Sequence, residues 1–227
     1  MEKNPSQDLW TAVDSYINGH LVPAEPALEA ALASNTAAGL PAIDVTPSQA
    51  KFLSMMAQVR GARRILEIGT LRGYSTIWLA RALPEDGRLI TLELDSKHAE
   101  VARANIARDG RSHLVEIRVG PALDSLARLE REGAEPFDFI FIDADKANNP
   151  AYVGWALRLS RLGSLIVVDN VVRDGAIVEA DHADPDVQGS RRLFEMLAAE
   201  PRLTSTALQT VGSKGHDGFA IALVTGS

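Results

Sequence analysis

From Arg64 onward, short apolar runs alternate with stretches of helical spacing, and that alternation restricts the fold more than any other feature of the chain. The runs are RILEIG, RLITLEL, LVEIRVG, FDFIFID and SLIVVD; helical patterns cover Ser75–Leu83, Ser96–Asp109, Ala122–Glu132 and Tyr152–Leu159 between them. Strands apolar on both faces and separated by amphipathic helices make a parallel sheet covered on each side, with right-handed crossovers. The expectation is an α/β, doubly wound sheet. RLTSTALQTVG and DGFAIALVT read differently, as an antiparallel edge pair joined by the turn GSKGHDG. Arg173–Gly189, rich in Asp, Ala, Pro and Gly, reads as a long loop.

The segment before this alternation reads helical. Leu9, Val13, Tyr16 and Ile17 recur at helix spacing, an Ala-rich helix covers Pro26–Ala37, and GLPAIDV breaks the pattern. TPSQAKFLSMMAQVR then opens a third helix, with Thr46 as N-cap, Pro47 at the first helical position and Gln49 close behind. A chain of 227 residues suits one domain, with 1–45 as an N-terminal helical segment and 46–227 as the core.

Composition removes several function classes. With 30 acidic against 23 basic residues, nothing favours a nucleic-acid partner. No cysteine is present, so disulfides and thiolate metal sites are excluded, and the five histidines show no paired ligand spacing. No segment approaches a membrane-spanning apolar run, and a cytoplasmic protein is expected.

Three places carry chemistry. In LEIGTLRGYST, Gly69 and Gly73 lie between the first strand and its helix, where a backbone approaches a ligand closely. The spacing is neither the dinucleotide fingerprint nor a phosphate-binding loop with its lysine, which argues against a dehydrogenase. Glu93 ends the second strand, about 20 positions later, where an acid accepts hydrogen bonds from ribose hydroxyls; Asp95 reads as the cap of the next helix. Finally, FDFIFID runs into Asp143, Asp145 and Lys146, and SLIVVD ends in Asp169 and Asn170. Either strand end alone would be a helix cap or turn. Side by side, Asp143, Asp169 and Asn170 make an all-oxygen donor set for a hard divalent cation.

Together these residues resemble the cation-dependent, S-adenosylmethionine-dependent O-methyltransferases: the caffeoyl-CoA and catechol enzymes and their bacterial relatives. The likeness runs from about Thr46 to the C-terminus and includes GPAL at 120–123 and the closing VG…DG. It implies a Rossmann-like class I methyltransferase with a seven-stranded, mostly parallel sheet whose last strand is antiparallel. Val45, Glu67, Gly69, Thr70 and Ser75 would meet the methionine part of the cofactor, Glu93 its ribose, and Ala122 its adenine, with Asp143, Asp145 and Tyr152 also facing it. Asp143, Asp169 and Asn170 would hold the metal (Mg²⁺, with Mn²⁺ or Ca²⁺ as alternatives), Lys146 would act as base, and Arg173 and Asp174 would face a small aromatic acceptor. A homodimer is also implied. The chain departs from the family at Asn149, Asp174 and Gln49, which bears on acceptor identity. Methylation of a hydroxylated uridine in tRNA and non-catalytic small-molecule binding are the alternatives.

Overall fold

Each apolar run becomes a strand of one seven-stranded sheet in the computed structural model, which describes residues 5–22, 24–37 and 44–226. The strands are β1 (Arg64–Ile68), β2 (Arg88–Glu93), β3 (Val115–Val119), β4 (Phe137–Ile142), β5 (Ser160–Asp169), β6 (Leu203–Gly212) and β7 (Gly215–Val224). Their order across the sheet is β3-β2-β1-β4-β5-β7-β6. β1 to β5 pair in parallel, and β7 runs antiparallel to both β5 and β6, so the antiparallel last strand is borne out.

The helices are α1 (Pro5–Leu21), α2 (Pro26–Ala37), α3 (Pro47–Arg60), α4 (Tyr74–Arg81), α5 (Ser96–Arg108), α6 (Ala122–Arg131), α7 (Asn149–Arg158) and α8 (Pro185–Ala199). Thr46 caps α3 by accepting from the Gln49 amide at 3.3 Å, and Asp95 caps α5 from the Lys97 amide at 2.7 Å. The GLPAIDV break falls largely on residues 38–43, outside the described residues.

β4 shows why the sheet needs cover on both faces. Ile140 and Ile142 join one core with Leu66, Ile68 and Val168, while Phe139 and Phe141 join the other with Ile65 and Val167. All four β4 side chains are fully buried, and truncating either phenylalanine to alanine is expected to cost about 3–5 kcal/mol. The sheet's position is therefore rigid, and its strand ends are fixed points.

Two expectations are corrected. The stretch Arg173–Gly189 is not one loop: Arg173–Val178 forms a 3₁₀ turn, and α8 starts at Pro185 behind an Asp184 N-cap that accepts from the Asp186 amide at 2.8 Å. The hairpin is tighter than GSKGHDG suggests, because Gly212 already pairs with Gly215 and only Ser213 and Lys214 form the turn. α1 has the expected spacing, with Leu9, Val13, Tyr16 and Ile17 exposed. It is tied down by polar contacts: Gln7 Nε2 donates to the Gly212 carbonyl at 3.0 Å, and Asp14 accepts from the Ser213 amide at 2.7 Å.

Candidate active site

The strand order reverses between β1 and β4, and their carboxyl ends flank the crevice where ligands bind in such sheets. Gly69 follows β1 and Asp143 follows β4, joined by the Asp143 amide donating to the Ile68 carbonyl at 2.8 Å. A Cβ on Gly69 would stand 2.0 Å from the Asp143 carbonyl oxygen, and its φ is +99°. Glycine is required here because the neighbouring strand end leaves no room, a reason additional to approach by a ligand.

Above this junction lies a cleft of about 720 Å³. Its walls bring together Val45, Gly69, Thr70, Ser75, Glu93, Ala122, Asp143, Asp145, Lys146, Tyr152, Asn170 and Arg173 from the expected set. Glu67, Asp169 and Asp174 are not among them. Glu67 is fully buried behind Ser75, whose hydroxyl donates to it at 2.6 Å, with Thr76 donating to the other oxygen. Burial pushes its carboxyl up to about 7, against the lowering effect of the Ser75 and Thr76 hydroxyls. Asp174 is exposed at φ +54°.

Glu93 organises the loop as well as facing the cleft. Its Oε2 accepts from the amides of Thr70 (3.2 Å) and Leu71 (2.7 Å), and its Oε1 from Asp95 (2.9 Å). Leu71 sits at φ +49°, so these bonds hold a turn that the backbone alone disfavours. Carboxylate oxygens retain lone pairs beyond these bonds, so ribose hydroxyls can still be received. On the far wall, Tyr152 and Asn148 both donate to Asp145; burial, with the Asp145 charge added, raises the Tyr152 phenol.

Asp143 and Asp169 end adjacent strands, and Lys146 Nζ lies 2.6 Å from Asp143 Oδ1. Asp169 is almost wholly buried; burial first, then the Asp143 charge, pushes its carboxyl up to about 7, while Lys146, the Asn170 amide and the Gln49 side chain pull the other way. Two such carboxylates repel and call for more positive charge than one ammonium. With the Asn170 amide, held at φ +53°, they make an all-oxygen donor set that fits a hard divalent cation. Gln49, one of the three departures from the family, is thus engaged with Asp169.

A second cleft, of about 320 Å³, meets the first at Asp44, Val45 and Asn170. Asp169, Phe52 and Phe219 line it, the two phenyl rings 5.3 Å apart, and the β6–β7 turn closes it. Sequence reasoning missed two members of this region. Lys214 in that turn donates to the Asp44 carbonyl, and burial lowers its ammonium. Asp44 also pairs with the buried guanidinium of Arg72 at 2.8 Å. Both pairings join residues remote in sequence, so no local pattern announces them. His98, 3.5 Å from Glu93, was likewise unmarked.

A family model described as "O-methyltransferase" matches residues 22–222. The chain belongs to the O-methyltransferase family. It is 53% identical over 219 residues to a catechol O-methyltransferase of Niastella koreensis, covering 96% of this chain and 99% of that protein. Among solved structures, an O-methyltransferase from Bacillus cereus in complex with SAH superposes with a TM-score of 0.95 at 58% identity, covering 96% of this chain and all of that one. The O-methyltransferase TomG from Streptomyces achromogenes, in complex with SAM, gives 0.94 at 51% identity over the whole of both chains. The fold and family implied by the sequence motifs are borne out. This chain is an enzyme of that class, and no helix among the described residues is long and apolar enough to cross a membrane.

Proposed function

We propose that this enzyme transfers the methyl group of S-adenosylmethionine to one hydroxyl of a small catechol-like acceptor. The observation that carries the reading is the meeting of two clefts, about 720 and 320 Å³, at Asn170, with Asp143 and Lys146 on the wall of the larger and Asp169 on the wall of the smaller. The larger suits the cofactor, which relatives bind as SAM or SAH. The smaller, walled by Phe52 and Phe219, suits a single aromatic ring.

Val45, Gly69, Thr70 and Ser75 hold the methionine part, with Glu67 supporting Ser75 from behind; Glu93 takes the ribose hydroxyls and Ala122 lies against adenine. Asp143, Asp169 and Asn170 hold a divalent cation, Mg²⁺ before Mn²⁺ or Ca²⁺. When bound, it supplies Lewis acidity toward hydroxyl oxygen and fixes which oxygen is presented. Lys146 pairs with Asp143 as an ammonium; once that proton has left to solvent, its Nζ takes the proton of the acceptor hydroxyl. Oxygen then attacks the methyl carbon in line; the carbon–sulfur bond breaks with its electron pair going to sulfur, leaving S-adenosylhomocysteine. The rigid strand ends supply the alignment, which removes much of the entropic barrier. Arg173, on the wall of the larger cleft, and Asp174, exposed beside it, are the residues we assign to the acceptor.

The exposed row of Leu9, Val13, Tyr16 and Leu21 on α1 supports the homodimer that the resemblance implies. Methyl-labelled donor, Mg²⁺ and a panel of catechols, flavonoids, hydroxycinnamoyl esters and hypomodified tRNA test the function. Label is expected in a one-ring catechol; label only in tRNA, or in nothing, would overturn the reading.

A further inference from the structure

Helix α8 contributes no residue to either cleft, yet it grips the backbone of the turn that carries Lys146. A Cβ on Gly189 would stand 2.1 Å from the Lys146 carbonyl oxygen, 2.7 Å from its carbonyl carbon and 2.6 Å from the Ala147 Cα. These are backbone atoms, which do not swing aside as a side-chain tip does. Gly189 lies inside a helix, without the positive φ that usually demands glycine, and glycine there costs about 1 kcal/mol relative to alanine. Its place is explained by the contact alone.

The same two residues are held from the adjacent turns of α8. Asp186 Oδ1 accepts from the Ala147 amide at 3.0 Å, and Arg192 Nη2 donates to the Ala147 carbonyl at 3.3 Å. Residues 186, 189 and 192, three apart, share one helix face, and that face meets Lys146–Ala147. Asn149 and Ser190, beside this contact, bury polar side-chain atoms that have no hydrogen-bond partner among the described residues.

We infer that Gly189 and Asp186 are positioning residues that seat the Lys146 backbone so that its amine reaches the acceptor hydroxyl. The inference rests on Lys146 being the base. Gly189 sets how close the helix comes, and Asp186 sets the direction of the Ala147 amide. Displacing the seat by about 1 Å, the shift a Cβ at Gly189 would force, moves the amine while α8 itself lines neither cleft.

The test is a double-mutant cycle with Lys146→Met, reading kcat, acceptor KM and calorimetric binding of S-adenosylhomocysteine. Gly189→Ala is expected to lower kcat by about 30- to 100-fold, since misplacements of about 1 Å reach that size, with acceptor KM and S-adenosylhomocysteine binding changed by less than about threefold. In the Lys146→Met background the same change is expected to cost less than about twofold, because its target is gone. Asp186→Ala is expected to lower kcat, and Asp186→Asn, which keeps an oxygen acceptor, to restore most of it. Gly189→Ala with wild-type kcat, or with the same loss in both backgrounds, would overturn the inference. Should Gly189→Ala fail to bind S-adenosylhomocysteine, the Asp186 pair decides: rescue by Asn supports the seat, and equal losses overturn it. Lys146→Met with wild-type turnover would instead sink the reading of Lys146 as base.

Discussion

Lys146 Nζ sits 2.6 Å from Asp143 Oδ1, both held at the carboxyl end of β4, one on a strand end and the other on the short turn that follows. The ion pair places an amine beside a proposed metal ligand, so proton removal and oxygen binding occur at one spot. Replacing Lys146 by methionine keeps the length and removes the proton acceptor. Turnover is expected to fall by about 10²- to 10⁴-fold while S-adenosylhomocysteine binding persists, as single-turnover rates and calorimetry would show. Retained turnover would contradict the assignment.

Glu67 introduces a pH dependence of stability. Its folded-state carboxyl titrates near 7 against an ordinary 4.5, so the folded chain keeps a proton that the unfolded chain releases across that window. Its contribution favours folding below pH 4.5 and is lost as pH rises through 7. Urea unfolding of wild type and Glu67→Gln between pH 4.5 and 8 should diverge by up to about 3 kcal/mol, wild type losing more. Parallel curves would show that Glu67 does not titrate there.

Gly69→Ala tests the crowding at the switch point. The added methyl would meet the Asp143 carbonyl oxygen at 2.0 Å, with backbone on both sides and φ already at +99°. A loss of at least about 2 kcal/mol in unfolding free energy is expected, with cofactor binding lost as well. A stable variant that still binds S-adenosylhomocysteine would show that β1 and β4 can separate there.

Lys214 closes the acceptor cleft from the β6–β7 turn by donating to the Asp44 carbonyl. Lys214→Ala is expected to raise acceptor KM about tenfold with S-adenosylhomocysteine affinity unchanged, the pattern of lost ground-state binding. A fall in kcat at constant KM would place Lys214 in the chemistry instead.

The strand ends were legible because each is an apolar run stopped by a polar residue; Gly69, Glu93, Asp143, Asp169 and Asn170 could be placed at one sheet edge from order alone. α8 was not legible, although Val187, Ser190, Leu193 and Leu197 bury a helical face. Its opening DPDVQGS has loop composition, and the reason for Gly189 is a backbone contact with Lys146, far away in sequence. Lys214 lies in the GSKGHDG turn, and only the tertiary approach of Asp44 gives it a partner in the site. In α1 the periodicity announces the helix but not what lies against it.

A cation held at the ends of β4 and β5 for methyl transfer to a catechol makes the initial rate on a one-ring catechol depend on metal in stripped enzyme. No product is expected in EDTA, with full recovery on adding Mg²⁺ and no recovery in Asp169→Ala. Full-rate methylation in EDTA, or an Asp169→Ala enzyme with wild-type turnover, would contradict it.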